Sequence, residues 1–311
     1  MKKQITIGIP KALLYYKYFE LWKVFFEQLG CKIIVSPDTN LAILKSGLNL
    51  AVDESCLAIK IFLGHVEFLK DKVDFVFLPR IVSLHKGEQA CTKFLGLYDT
   101  VNNTFPNINI LEYNVDVPNG LTEQRELIRA GQKVEKSYFK VARAYQAARK
   151  AYLKSLDDKV REQANLLETD SDLKILIVAH PYTIYDSLAG QNISKFLNKE
   201  NVTLLYSDCF DQKISHKLGG EISKDLYWTY NKEFLGAIEL CKDKVDGLIY
   251  AMSFPCGPDA LVIDFAQKVY KTIPSLVLTI DELQGEAGLM TRLESFVDIL
   301  RLKNKKKNAG K

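Results

Sequence analysis

Short runs of β-branched and other apolar residues alternate with amphipathic helical stretches along the whole chain, and this alternation limits the fold more than any other feature. Strand, helix and strand in succession favour parallel pairing through crossover helices, so the chain reads as α/β. In the first half, strands are expected at ITIGI (5–9), CKIIVS (31–36), VDFVFLP (73–79) and NINILEY (107–113), with helices around 17–29, 39–50 and 54–71. Gly30 suits the end of the first helix. In the second half, strands are expected at LKILIVA (173–179), VTLLYS (202–207), DGLIYAM (246–252) and SLVLTI (275–280). Helices near 187–200, 220–243, 258–271 and 287–302 separate and follow them.

Between the halves, 121–167 is rich in Ala, Glu, Lys, Arg and Leu, with Leu127, Val134, Phe139, Ala142 and Tyr145 at spacings of roughly three to four residues; it reads as one long helix or two. The expected fold is therefore two Rossmann-like, doubly wound parallel-sheet domains joined by a long helical segment. The expected limits are 1–118 for the N-terminal domain, 119–170 for the connector, 171–302 for the C-terminal domain and 303–311 for a disordered basic tail. No tandem repeat of short fixed period is visible, although the two halves share an architecture.

A content of 47% hydrophobic and 26% charged residues over 311 positions supports two packed cores rather than disorder. The net charge of +4 is smaller than the contribution of the five lysines in KNKKKNAGK (303–311), which leaves the body near about −1 and gives no reason to expect nucleic acid as a partner. No run of apolar residues is long enough to span a bilayer. The opening MKKQITIGIPKALL has too short an apolar block, interrupted by lysine, for a signal peptide, so the expected compartment is the cytoplasm, with no membrane partner.

Six cysteines (31, 56, 91, 209, 241 and 256) lie far apart, which argues against a disulfide framework and leaves metal binding, redox chemistry or burial. In SFPCGPDA, Cys256 follows an expected strand, with Pro258 suited to the first turn of the next helix and Gly257 allowing a ligand close to the backbone. A helix N-terminus favours a thiolate. Cys56 is expected in the first turn of a helix capped by Asp53, and Cys91 in a weakly periodic loop after the strand at 73–79. Cys31, Cys209 and Cys241 read most simply as small buried hydrophobes. Three thiolates meeting in a crevice suit zinc or a cubane iron–sulfur cluster; the paired C-x-x-C of structural zinc sites is absent, whereas clusters tolerate distant ligands.

Open α/β sheets bind ligands at the carboxyl ends of their strands. His180, in AHPYTIYD with Tyr182 and Asp186, falls at such an end and reads either as a substrate or proton-transfer group or as part of a structural turn. His65 is expected on a helix and His216 on a loop. TIDELQGEAGLMTRLESFVDIL (279–300) offers Asp281, Glu282, Glu286 and Arg292, which either hold a metal or an amine or surround a capped helix. Pro10 occupies the place of the glycine turn in IGIPKALLYY, which argues against a nicotinamide-binding turn.

Taken together, IGIPKALLYYKYFELWKVFFEQLG, AVDESCLAIKIFLGHVEFL, PRIVSLHKGEQACTKFLG, AHPYTIYD, SFPCGPDA and TIDELQGEAGLMTRLESFVDIL resemble the uncharacterised domain of acyl-CoA dehydratase activase-related proteins, itself similar to subunits of 2-hydroxyacyl-CoA dehydratases. The resemblance implies two Rossmann-like domains and a [4Fe–4S] cluster whose ligands match Cys56, Cys91 and Cys256; His180 and Glu286 match motifs without an assigned role and stand as catalytic candidates. It further implies a separate ATP-dependent activator as electron donor and an acyl-CoA or another small molecule as substrate. A bridged double-cubane cluster occurs in the wider family, and homodimers or heterodimers occur among the relatives. A non-catalytic accessory or electron-relay subunit docking the activator, and a two-lobed ligand-binding protein with structural cysteines, are the alternatives.

Overall fold

A computed structural model describes residues 4–283 and 285–309, without the side chains of 286 and 307–309. The chain divides into two compact units, the first comprising Met1–Asp157 with Tyr227–Thr229 and the second Asp158–Leu226 with Tyr230–Lys311.

The first unit runs β1 (Thr6–Ile9), α1 (Tyr15–Gln28), β2 (Lys32–Val35), α2 (Leu41–Leu50), α3 (Leu57–Leu69), β3 (Phe75–Ser83), α4 (Thr92–Leu95), α5 (Leu97–Thr104), β4 (Ile110–Asp116), α6 (Glu123–Val134) and α7 (Tyr138–Glu168), the last extending past the division at 157. Its four strands form a parallel sheet in the order β2-β1-β3-β4. Trp22, Phe26, Phe77 and Tyr113 fill one side of this sheet, Trp22 meeting Phe77 edge-on with centroids 5.1 Å apart.

The second unit continues with β5 (Lys174–Ala179), α8 (Pro181–Ile184), α9 (Gln191–Lys199), β6 (Thr203–Tyr206), α10 (Gln212–Ile222), α11 (Thr229–Cys241), β7 (Gly247–Ser253), α12 (Gly257–Val269), β8 (Ser275–Ile280) and α13 (Glu286–Ala309). Its sheet is parallel as well, in the order β6-β5-β7-β8. The α/β class, with two doubly wound sheets, is thus as the alternating pattern implies. No helix of the described residues is long and apolar enough to cross a membrane.

Several local expectations change. The expected helix over 220–243 is two helices, α10 and α11, and His216 lies within α10 rather than on a loop. β3 continues through Arg80–Ser83, because β4 extends alongside it and pairs Val115 with Ile81. The expected helix at 187–200 is the shorter α9, and an additional short helix, α8, precedes it directly after β5. Asp53 lies in a turn, and Cys56 itself is the N-cap residue of α3. The helix α13 runs through the lysine-rich segment read as a tail, as far as Ala309; the Asn304 amide donates to the Asp172 carbonyl and the Asp246 carboxylate.

Comparison of the units reveals a long internal repeat. KIFLGHVE (60–67) followed by DKVD (71–74) recurs as KEFLGAIE (232–239) followed by DKVD (243–246), both at an interval of 172 residues. The structural roles recur with the residues. Asp74 Oδ2 accepts the amide of Thr6 at the start of β1, and Asp246 Oδ2 accepts that of Lys174 at the start of β5, both at 2.8 Å. Ser36 Oγ accepts the Lys11 amide after β1, as Ser207 Oγ accepts that of Ala179 at the end of β5. A left-handed residue follows α1 in the first unit and α9 in the second, Gly30 at φ 76° and Asn201 at φ 56°. A Cβ added at Gly47 would collide with the Lys60 carbonyl and one at Gly64 with that of Ile43; Gly219 and Gly236 face the carbonyls of Lys232 and Ser215 in the same way. The glycines therefore let α2 meet α3, and α10 meet α11, backbone against backbone.

Candidate functional site

In an open parallel sheet, ligands gather where the strand order reverses, outside the carboxyl ends. That point lies between β5 and β7 in the second unit and between β1 and β3 in the first.

In the second unit, β5 delivers His180 and β7 delivers Ser253, Phe254, Pro255 and Cys256 to these ends. Cys256 is the N-cap residue of α12 and Asp259 lies in its first turn. Asp259 is almost wholly buried, and its Oδ1 is bound by His180 Nε2 at 3.0 Å and by the Asn231 amide at 2.8 Å. Burial alone would raise its carboxyl; the charge and hydrogen bond of His180, with hydrogen bonds from Asn231 and Cys256, outweigh burial and hold it below its ordinary value. The Tyr182 ring stacks on His180 with centroids 4.8 Å apart and an interplanar angle of 13°, and Phe234 packs at 4.7 Å. Thr183 Oγ1 in α8 and Ser253 Oγ in β7 lie 3.1 Å apart, both buried. Asp186 accepts the amides of Leu188 and Ala189, shaping the turn into α9, while Asp259 takes the place beside His180 that chain proximity suggested for Asp186.

In the first unit, Cys91 is the N-cap residue of α4, after the loop that follows β3, and Cys56 is that of α3. Cys56 joins two helices rather than leaving a strand. Because α3 returns the chain to the start of β3, its N-terminus nevertheless belongs to the carboxyl edge of the parallel sheet. Cys56, Cys91 and Cys256 are all half-buried and extended in backbone, and none uses its side chain to cap helix amides. N-cap positions favour Ser, Thr, Asp or Asn, worth about 1 kcal/mol over residues that cannot cap. Three helices forgo that gain for a thiol.

The other cysteines are different. Burial pushes the Cys31 thiol up to about 11 and that of Cys241 to about 12, and Cys241 donates to the Ala237 carbonyl at 3.2 Å. Cys209 is half-buried rather than buried, at the end of a turn after β6, and desolvation reinforced by Asp208 pushes its thiol up to about 12. No disulfide joins any of the six.

His65 is buried in α3 with Nδ1 bound to Ser36 Oγ at 2.8 Å and Nε2 to Thr39 Oγ1 at 2.9 Å. Burial, then the Lys11 charge, with Asp38 opposing, lowers it to about 4, so the ring is neutral and structural at neutral pH. Asp281 Oδ1 accepts the Leu283 amide, and Arg292 donates to the Val277 carbonyl. Glu286 opens α13, and its side chain lies outside the described residues.

Sequence reasoning placed Cys256, Cys91, Cys56 and His180 at the edges of the sheets but missed the roles of Asp259 and Asn231. For Asp259 the signal was its position three residues after Cys256.

No curated protein matches the chain. Among solved structures, ZnuA aligns over 97% of this chain and 99% of its own at 11% identity and a TM-score of 0.27. The lac repressor dimer bound to operator and the anti-inducer ONPF aligns over 90% of this chain and 92% of its own at 10% identity and a TM-score of 0.23. A family model described as CoA enzyme activase uncharacterised domain (DUF2229) matches residues 6–210, a span that holds β1 to β6, Cys56, Cys91 and His180 and stops before Cys256 and Glu286. That span is about two thirds of the sequence, and the chain therefore belongs to the CoA enzyme activase uncharacterised domain family.

Proposed function

We propose that the protein is an iron–sulfur redox protein of the 2-hydroxyacyl-CoA dehydratase type, with Cys56, Cys91 and Cys256 as ligands of a [4Fe–4S] cluster and a separate ATP-dependent activator as its electron donor. The observation that carries this reading is the recurrence of an uncapping, half-buried cysteine at three helix N-caps, while Cys31 and Cys241 are buried. The donor set fits the group: thiolates are the usual protein ligands of such clusters, and helix N-termini favour anionic sulfur. Three protein ligands would leave one iron open to a substrate oxygen or a further sulfide, a Lewis-acidic position supplied by the cluster when bound. Membership of a family described by CoA enzyme activase supports a CoA-linked partner.

The reading rests on the three thiols acting as one donor set. Anaerobic purification with iron and sulfide assays and a visible spectrum tests it. About four irons per chain, with broad absorption near about 400 nm, is the expected result, and about eight would indicate a bridged double cubane. Cys56→Ala, Cys91→Ala and Cys256→Ala should each abolish the absorption, and Cys31→Ala should leave it intact. A colourless wild-type protein would sink the reading and favour a two-lobed binding protein; a coloured protein that accepts electrons without turnover would favour a relay subunit.

A further inference from the structure

We propose that His180 is the proton acceptor of a site at the carboxyl ends of β5 and β7, aimed by Asp259 and Asn231 and serving a hydroxyl-bearing ligand seated there. The geometry fixes the tautomer. The Asp259 carboxylate only accepts, so the hydrogen of the neutral ring sits on Nε2 and the lone pair on Nδ1. Among the described residues Nδ1 has no hydrogen-bond partner, and the side chain keeps 8% of its surface open. Tyr182 and Phe234 hold the plane of the ring.

The internal repeat separates chemistry from packing. Strand register and the matching serine bonds put Ala12 at the position of His180, and the glycine-anchored helices put Ile59 at that of Asn231. The first unit thus builds the same layer with two buried apolar residues. The second buries an imidazole, an amide and a carboxylate there, at a desolvation cost that packing does not require. This cluster also stands at the point of strand-order reversal.

In the transfer, the O–H bond of the ligand breaks and its electron pair stays on oxygen, while the Nδ1 lone pair forms the new N–H bond. Nε2 keeps its hydrogen, and Asp259 balances the imidazolium. Asp259 and Asn231 act through the ring and are positioning residues.

The test uses the metal-free full chain, so its outcome is independent of the iron–sulfur reading. With four histidines in the sequence, long-range 1H–15N spectra of 15N-histidine-labelled protein resolve each ring. His180 should show a single Nε2–H tautomer, and Asp259→Asn should release it into a mixture. Carbethoxylation mapped by mass spectrometry should reach His180 at least about tenfold faster than His65, whose two nitrogens are both bonded. Should Asp259→Asn fail to fold, Asn231→Ile, the residue of the other unit, provides the same readout with Asp259 retained. A mixed tautomer in the wild type, or His180 as inert as His65 in the folded protein, would overturn the proposal.

Discussion

Asp74 and Asp246 perform one task in two places: each carboxylate precedes a central strand and takes the first amide of the strand beside it at 2.8 Å. Asp74 additionally accepts the Thr6 hydroxyl, and its own amide returns a bond to that hydroxyl oxygen. Asp246 instead shares its second oxygen with Asn304. Replacing either aspartate with alanine should cost about 1–3 kcal/mol, the penalty for stranding a part-buried donor. Urea unfolding followed by circular dichroism measures it, and unchanged midpoints would contradict a fastening role.

Gly64→Ala and Gly236→Ala should destabilise by about 2 kcal/mol or more, because the new methyl group meets a backbone carbonyl that no rotamer change can move. Gly220→Ala, on α10 with open space around its Cβ position, should stabilise by about 0.5–1 kcal/mol through helix propensity. Thermal melts of the three variants should therefore fall on opposite sides of the wild type.

His65 makes stability depend on pH in a defined window. Its folded value of about 4 lies below the unfolded value of about 6.5, so the unfolded chain binds the extra proton between them. Stability from this group is complete above about pH 6.5 and declines as pH falls towards 4, by about 3 kcal/mol in all. The difference between wild type and His65→Asn in denaturant midpoint, measured at pH 7 and at successive steps down to pH 4.5, should narrow as pH falls.

Cys56, Cys91 and Cys256 should alkylate in the native protein at pH 8 well before Cys31 and Cys241, whose buried thiols ionise only near 11 and 12. Mass-spectrometric mapping after a short pulse of iodoacetamide decides this. Equal labelling of all six would mean that the native fold does not shelter the two buried thiols.

Removing part of the His180 cluster should be worse than removing all of it. His180→Ala alone leaves the buried Asp259 without one of its partners and should cost about 3–5 kcal/mol. The triple variant His180→Ala, Asn231→Ile, Asp259→Ala replaces the network with apolar residues and should be the more stable of the two. Calorimetric melts of both variants compare them directly.

The strands were legible because β-branched runs of buried parallel strands are nearly continuous, and VDFVF and DGLIY could be nothing else. The break between α10 and α11 was not, since EISKDLYWTYNKEF carries neither glycine nor proline at the turn; the helices part because Gly219 and Gly236 bring their backbones together, a tertiary cause. The repeat of KxFLG and DKVD was present in the letters but spaced too widely to announce itself as periodicity. The place of Cys256 followed from Gly257 and Pro258, and that of His180 from the strand that ends beside it. The bond between His180 and Asp259 did not, because it joins residues 79 positions apart and exists only because β5 and β7 are adjacent in the sheet.

The meeting of α2 and α3 at Gly47 and Gly64 reaches further than stability. Gly64 lies eight residues along the helix from Cys56, about 12 Å at the rise of an α-helix. With no methyl group between the backbones, the rotation of α3 about its own axis has a single setting, and so does the direction from which the Cys56 sulfur leaves the helix end. A hydrogen atom two turns away thereby steers a sulfur, and a bulkier residue at 64 would misdirect that thiol without ever touching it.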